Sequence, residues 1–137
     1  MNTRTLAYWT TTGLFTVALG ASGLMTLTRQ APMVAGYEHL GYPLYLMTIL
    51  GVWKLLGVAA LASPRLPRLK EWAYAGFTFN LTGAVASHLA AGDAPAQIVA
   101  PVVLLGLLAA SWSLRPQSRT LASAALSSGA APRPALA

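Results

Sequence analysis

Apolar residues gather in four long blocks along this chain: Leu6 to about Leu27, Leu44–Ala62, Trp72–Ala90 and Ile98–Leu114. A helix rising 1.5 Å per residue crosses a ~30 Å hydrocarbon layer in about 20 residues, or about 17 at minimum. All four blocks reach that minimum. None shows the strict alternation of a barrel strand, and a backbone in hydrocarbon satisfies its hydrogen bonds most simply within a helix. The pattern predicts an all-α fold, a four-transmembrane-helix bundle. Short second and third connections make neighbouring spans antiparallel. Arg29-Gln30-Ala31-Pro32, Gly41-Tyr42-Pro43, Ser63-Pro64-Arg65-Leu66-Pro67-Arg68 and Gly92-Asp93-Ala94-Pro95 break the blocks apart. One domain is expected over residues 6–116, followed by a disordered Ala/Ser/Pro-rich tail over 117–137.

Within the blocks, small residues recur at helical spacing. Gly13, Thr16, Gly20 and Gly23 mark the first, while Gly51 and Gly57 flank Lys54 in the second. Gly76, Asn80, Gly83, Ala84 and Ser87 mark the third, and Gly106, Ala110 and Ser113 the fourth. Such stripes let helix backbones approach closely in lipid, so they are expected at helix contacts. Tyr74, Val85 and Leu89 are then expected on the opposite side of the third helix.

Charge changes the picture in two ways. Only 9% of residues are charged and 55% are hydrophobic, against roughly 25% charged in an average soluble domain. That argues against a soluble enzyme or a disordered chain. The nine Lys and Arg against three Asp and Glu sit in short clusters between apolar blocks, as topology signals do. They predict a lipid bilayer as partner and no nucleic acid. Arg4 precedes the first span; Arg65, Arg68 and Lys70 lie in the second connection; Arg115, Arg119 and Arg133 follow the last span. The first and third connections offer only Arg29. The positive-inside bias therefore places the N-terminus and C-terminus in the cytoplasm, as an even number of spans also requires. Arg4 and the small residues Ala18 and Gly20 loosely resemble a secretory signal peptide, but the apolar run continues through Leu24, Met25 and Leu27.

Lys54 is the most informative position. It lies deep in the second block, where a lysine costs about 2.5–3.5 kcal/mol on insertion scales and turns toward the bundle interior. Counting 1.5 Å per residue from the ends of the second and third blocks puts Asn80 nearly level with it. Two readings follow: a contact with Asn80 that locks the bundle, or a binding site for an anionic or carbonyl-bearing ligand such as a quinone headgroup. Glu38, His39, His88 and Asp93 collect at the outer face, with His39 in a loop. Glu38 is a candidate counter-ion for Lys54 if its loop folds inward. A two-His, two-carboxylate metal site is chemically conceivable, but these residues lack ligand spacing, and none is expected. Glu71 and Trp72 open the third helix, an acid at a helix N-terminus and an interfacial aromatic. Tyr8, Trp9, Trp53 and Trp112 read as belt or packing aromatics, and Thr10-Thr11-Thr12 as hydroxyls bonded back to helix carbonyls. Phosphate-loop, nucleophile-elbow, HExxH and cysteine-based motifs are all missing from the sequence.

The stretch Lys70-Glu71-Trp72-Ala73-Tyr74-Ala75-Gly76-Phe77-Thr78-Phe79-Asn80-Leu81-Thr82-Gly83-Ala84, with Ala86-Ser87-His88, resembles the DoxX-like family of small bacterial membrane proteins. His39-Leu40-Gly41-Tyr42-Pro43 and Ile49-Leu50-Gly51-Val52-Trp53-Lys54-Leu55-Leu56-Gly57 do so too. The likeness covers about residues 6 to 116. It implies a multi-pass protein of the bacterial cytoplasmic (inner) membrane. The wider DoxX/DoxD group includes a subunit of an archaeal thiosulfate:quinone oxidoreductase and proteins linked to oxidative-stress defence. The shared motif positions are Lys54, Glu71, Trp72, Asn80 and His88. The expected role is a non-enzymatic membrane subunit or accessory protein, with a membrane or redox protein as partner or a homo-oligomer. The alternative is an intramembrane ligand-binding site formed by Lys54, Asn80, Glu38 and His88. No cofactor is called for by these residues beyond a quinone in that alternative.

Overall fold

The computed structural model describes residues 2–64 and 66–121. Among them are five α-helices: α1 (Thr3–Leu27), α2 (Ala31–His39), α3 (Tyr45–Ala62), α4 (Pro67–Ala90) and α5 (Pro95–Leu114). A short 3-10 turn, Gln117–Arg119, follows. The remainder of the predicted tail, Arg133 included, and Arg65 lie outside the described residues.

Three helices, α1, α3 and α5, are long and apolar enough to cross a membrane. The predicted third span is helical, but it lies within the 24-residue α4, whose Lys70, Glu71, Asn80 and His88 make it more polar. Local chemistry sets the helix starts. The Asn2 side chain accepts from the Arg4 amide at 3.0 Å and caps α1. Pro32, Pro67 and Pro95 each stand in a first turn, where the missing N–H costs nothing and the fixed φ suits a helix.

Pro32 also corrects the sequence reading. Gln30-Ala31-Pro32 follows the first span as a break, yet the same proline opens α2 in the segment expected to be a loop. His39 is therefore the last residue of a helix. Gly41 and Gly92 adopt φ of +74° and +72°, the left-handed conformation that closes a helix without a Cβ penalty. After Gly92 the Asp93 amide donates to the His88 carbonyl at 3.0 Å, which folds the chain back over the end of α4.

The long helices close a ring: α1 packs on α3 and α5, and α4 on the same two. Gly20 lies beside Val58, Gly23 beside Lys54, and Gly51 beside Leu27, so numbers rise along one helix as they fall along the other. Gly57 meets Phe77 in the same descending order as Lys70 meets Ala60. Phe15, Leu19, Leu61, Tyr74, Phe77, Leu81 and Leu108 form the buried core. Phe15 and Phe77 meet edge-on at 5.1 Å, a geometry worth about 0.5–1.5 kcal/mol beyond area burial. Beside them, Ser111 Oγ lies 2.6 Å from Thr12 Oγ1 and 2.8 Å from the Tyr74 hydroxyl. Thr12 thus bridges helices, whereas Thr11 bonds back to the Ala7 carbonyl as expected.

Two expectations about packing need correction. Tyr74, expected to point away, is buried, and so are Phe77 and Leu81 on the same face. The small-residue stripe of α4 is not a helix contact: an added Cβ at Gly76 or Gly83 would meet nothing within 4 Å, and the same holds at Gly13 and Gly106. Bulky side chains give more dispersion contact than glycines do. The aromatic face of α4 therefore takes the core, and its small face is left beside a void.

Candidate functional site

That void is a half-open cleft of about 880 Å³ bounded by α2, α3 and α4. The third wall is α2 with its C-cap Leu40: Pro32, Met33, Gly36, Tyr37 and Leu40 line the cleft, the last four at the i, i+3, i+4, i+7 spacing of one helix face. α3 contributes Trp53, Lys54 and Gly57. From α4 come Gly76, Asn80, Gly83 and His88. Glycines at 36, 76 and 83 leave room where any other residue would project, and they help to open the volume.

Lys54 sits midway along α3 with its stem against Gly23 of α1, whose own Cβ would lie 3.0 Å from the lysine Cβ. Its Nζ donates to Ser22 Oγ at 3.2 Å. No hydrogen bond joins it to Asn80, although both residues line the same cleft. Glu38 does not serve as its counter-ion: it is exposed on α2 and makes no ion pair among the described residues. Helical geometry gives the reason. The face carrying Met33, Gly36 and Tyr37 points inward, and the next residue is rotated 100° away from it.

At the α2 end, Asp93 joins two helices. His39 Nε2 lies 2.6 Å from Asp93 Oδ1, and His88 Nδ1 lies 2.6 Å from Oδ2. The hydrogen bond from His88, then that from His39, hold the Asp93 carboxyl below the usual carboxylate range. The Tyr42 hydroxyl lies 2.6 Å from Ser87 Oγ and ties the same two regions together. Of the four outer groups, three are thus brought together and Glu38 is left apart. Among the described residues no cluster of three His, Cys, Asp or Glu side chains has the geometry to hold a metal ion.

The opposite end is a cationic layer. Lys70 is buried and donates to the carbonyls of Ala60, Leu61 and Ser63, capping α3. Glu71 accepts from Arg115 at 2.7 Å; it does not open its helix as expected, because Pro67 starts α4 a turn earlier and leaves Glu71 and Trp72 past the first turn. Arg115 stacks on Tyr74 and Trp112, and Arg119 on Trp9 and Tyr8. Sequence reasoning missed Ser22, Tyr37, Tyr42 and the whole of α2. The spacing of Met33, Gly36, Tyr37 and Leu40 after a proline was the available signal for that helix.

The arrangement sets Lys54, Asn80 and Tyr37 among the walls of a largely apolar cleft. Neither a curated protein nor a solved structure matches the chain. The DoxX-like family model matches residues 10–111. That match takes in all but the first turns of α1 and the last turn of α5, including Lys54, Asn80 and His88, so the chain belongs to the DoxX-like family.

Proposed function

We propose that the chain crosses the bacterial cytoplasmic membrane four times as an antiparallel bundle, with both termini cytoplasmic. Its α2–α3–α4 cleft binds a lipophilic small molecule whose headgroup accepts hydrogen bonds, a quinone being the reference case. The descending contacts between neighbouring long helices support the bundle. Much of the polarity of α4 lies toward the cleft (Asn80, His88) or in its first turns (Lys70, Glu71), which supports α4 as the fourth crossing.

The single observation that carries the binding role is a cleft of about 880 Å³ with Lys54 among its lining residues. That volume lies within the ~300–1,000 Å³ of small-molecule sites, and an intramembrane lysine marks a functional site by default. The role is non-enzymatic and agrees with that of an accessory membrane subunit. Trp53 and Trp72 line the cleft and give the readout. In lipid nanodiscs, a short-chain ubiquinone analogue should quench tryptophan fluorescence saturably. Lys54→Met should abolish that quenching, and Gly83→Leu, which fills the void, should do so without loss of thermal stability. Quenching that never saturates, or that survives in both folded variants, would rule the site out.

A further inference from the structure

Charge balance narrows the occupant of the cleft further. The sequence holds three carboxylate side chains, and each is accounted for away from Lys54. Glu71 is bound by Arg115 at the far end of α4. Asp93 is held between His39 and His88. Glu38 is exposed on α2 and lies outside the cleft lining. A lysine ammonium has three donors, and the one hydrogen bond found for Lys54 goes to the neutral Ser22 hydroxyl. An uncompensated cation at this depth is costly, and an anionic ligand in the cleft would relieve that cost.

Shape says what carries the charge. Along α4 the cleft runs from Leu69 to His88, about 28 Å at 1.5 Å per residue. Polarity divides it at Lys54 and Asn80. The arm toward α2 holds Tyr37, Tyr42, Ser87 and His88. The arm toward the start of α4 is apolar, with Leu56, Leu69, Trp72 and Phe77 among its walls. This second arm extends about 16 Å from Asn80.

We propose that the cleft holds a single-chain amphiphilic carboxylate, a fatty acid, with its headgroup against Lys54 and Asn80 and its chain in the apolar arm. The proposal rests on the binding role above and selects an anionic ligand over a neutral one. Charge complementarity supplies the headgroup, and an apolar arm of that length supplies the tail site.

The test compares dodecanoate with dodecanol, which keeps the chain and loses the charge, in phosphatidylcholine nanodiscs. Tryptophan fluorescence reads direct binding. Dodecanoate is expected to bind at least tenfold more tightly than dodecanol. Lys54→Met should remove that preference, and Lys54→Arg should retain it. The wild-type comparison decides the matter even if Lys54→Met fails to fold. Equal binding of the two probes, with both lost in Gly83→Leu, overturns the carboxylate assignment and leaves the binding role standing. Displacement of dodecanoate by phosphatidylglycerol in the discs assigns the amine to a phospholipid phosphate and also overturns it. Failure of dodecanoate, dodecanol and the quinone analogue alike overturns both.

Discussion

Gly57 faces the Phe77 ring so closely that an added Cβ would stand 2.7 Å from the ring Cζ. The ring is buried and braced edge-on by Phe15, so making room for a Cβ disturbs the core packing. Gly57→Ala should therefore destabilise the protein by about 1–3 kcal/mol, the usual cost of overpacking. Gly76→Ala faces open space and should be neutral or gain about 0.5–1 kcal/mol from reduced backbone entropy in the unfolded chain. Unfolding in mixed detergent micelles measures both, and a Gly57 variant as stable as the Gly76 variant contradicts the close packing. Asp93 gives a pH test at the same scale. Its carboxyl is held below the usual range by His88 and His39. A depressed carboxylate stabilises the fold above its unfolded pKa of about 3.9 and loses that contribution as pH falls through its lower folded value. Melting temperatures of the wild type and Asp93→Ala should differ steadily between about pH 7 and pH 5, then converge below about pH 4. A gap unchanged down to acid pH would show that the carboxylate charge is not what holds the two histidines.

Among the elements, α4 decides where the cleft lies and α2 closes its side. One face of α4 carries Tyr74, Phe77 and Leu81 into the core, and the other presents Gly76, Asn80 and Gly83 to the void. The junction between α3 and α4 depends on Lys70, whose ammonium caps three carbonyls at the end of α3. Lys70→Met keeps the length of the side chain and removes the donors. A loss of about 1–3 kcal/mol is expected from the carbonyls left unpaired, with fraying confined to the last turn of α3. Hydrogen exchange over residues 59–63 locates the effect, and uniform protection in the variant would argue against a capping role. α2 touches α1 only lightly and is held through His39 and the nearby Tyr42. It should thus exchange faster than the long helices, and faster still in Asp93→Ala.

For the whole molecule, the number of crossings is the decisive property, and the absence of cysteine from the sequence makes it measurable. Single cysteines replacing Glu38 and Gln117 can be labelled with a membrane-impermeant maleimide. Four crossings place residue 38 outside and residue 117 inside, so Glu38→Cys should label in intact cells and Gln117→Cys only after permeabilisation. With α4 lying outside the hydrocarbon, α5 would reverse direction and residue 117 would label from outside. The same bilayer that imposes the helices denies them a hydrophobic driving force. Polar contacts and close approach must then hold the ring, as the Ser111 triad and the approach of Gly23 to Lys54 illustrate.

The helical fold class, the apolar blocks behind α1, α3 and α5, and the place of Lys54 within one of them were legible in the sequence, because solvent and helix geometry act on residue type and spacing alone. The stripe of Gly76, Asn80 and Gly83 was legible too, but its meaning was not. Whether small residues admit a neighbouring helix or line a void depends on which face the bulkier aromatics claim, and that is settled only when four helices compete for one core. Tertiary structure likewise turned α2 into a wall, paired Asp93 with two histidines 54 and 5 residues away in sequence, and left Lys54 facing a cleft without a carboxylate.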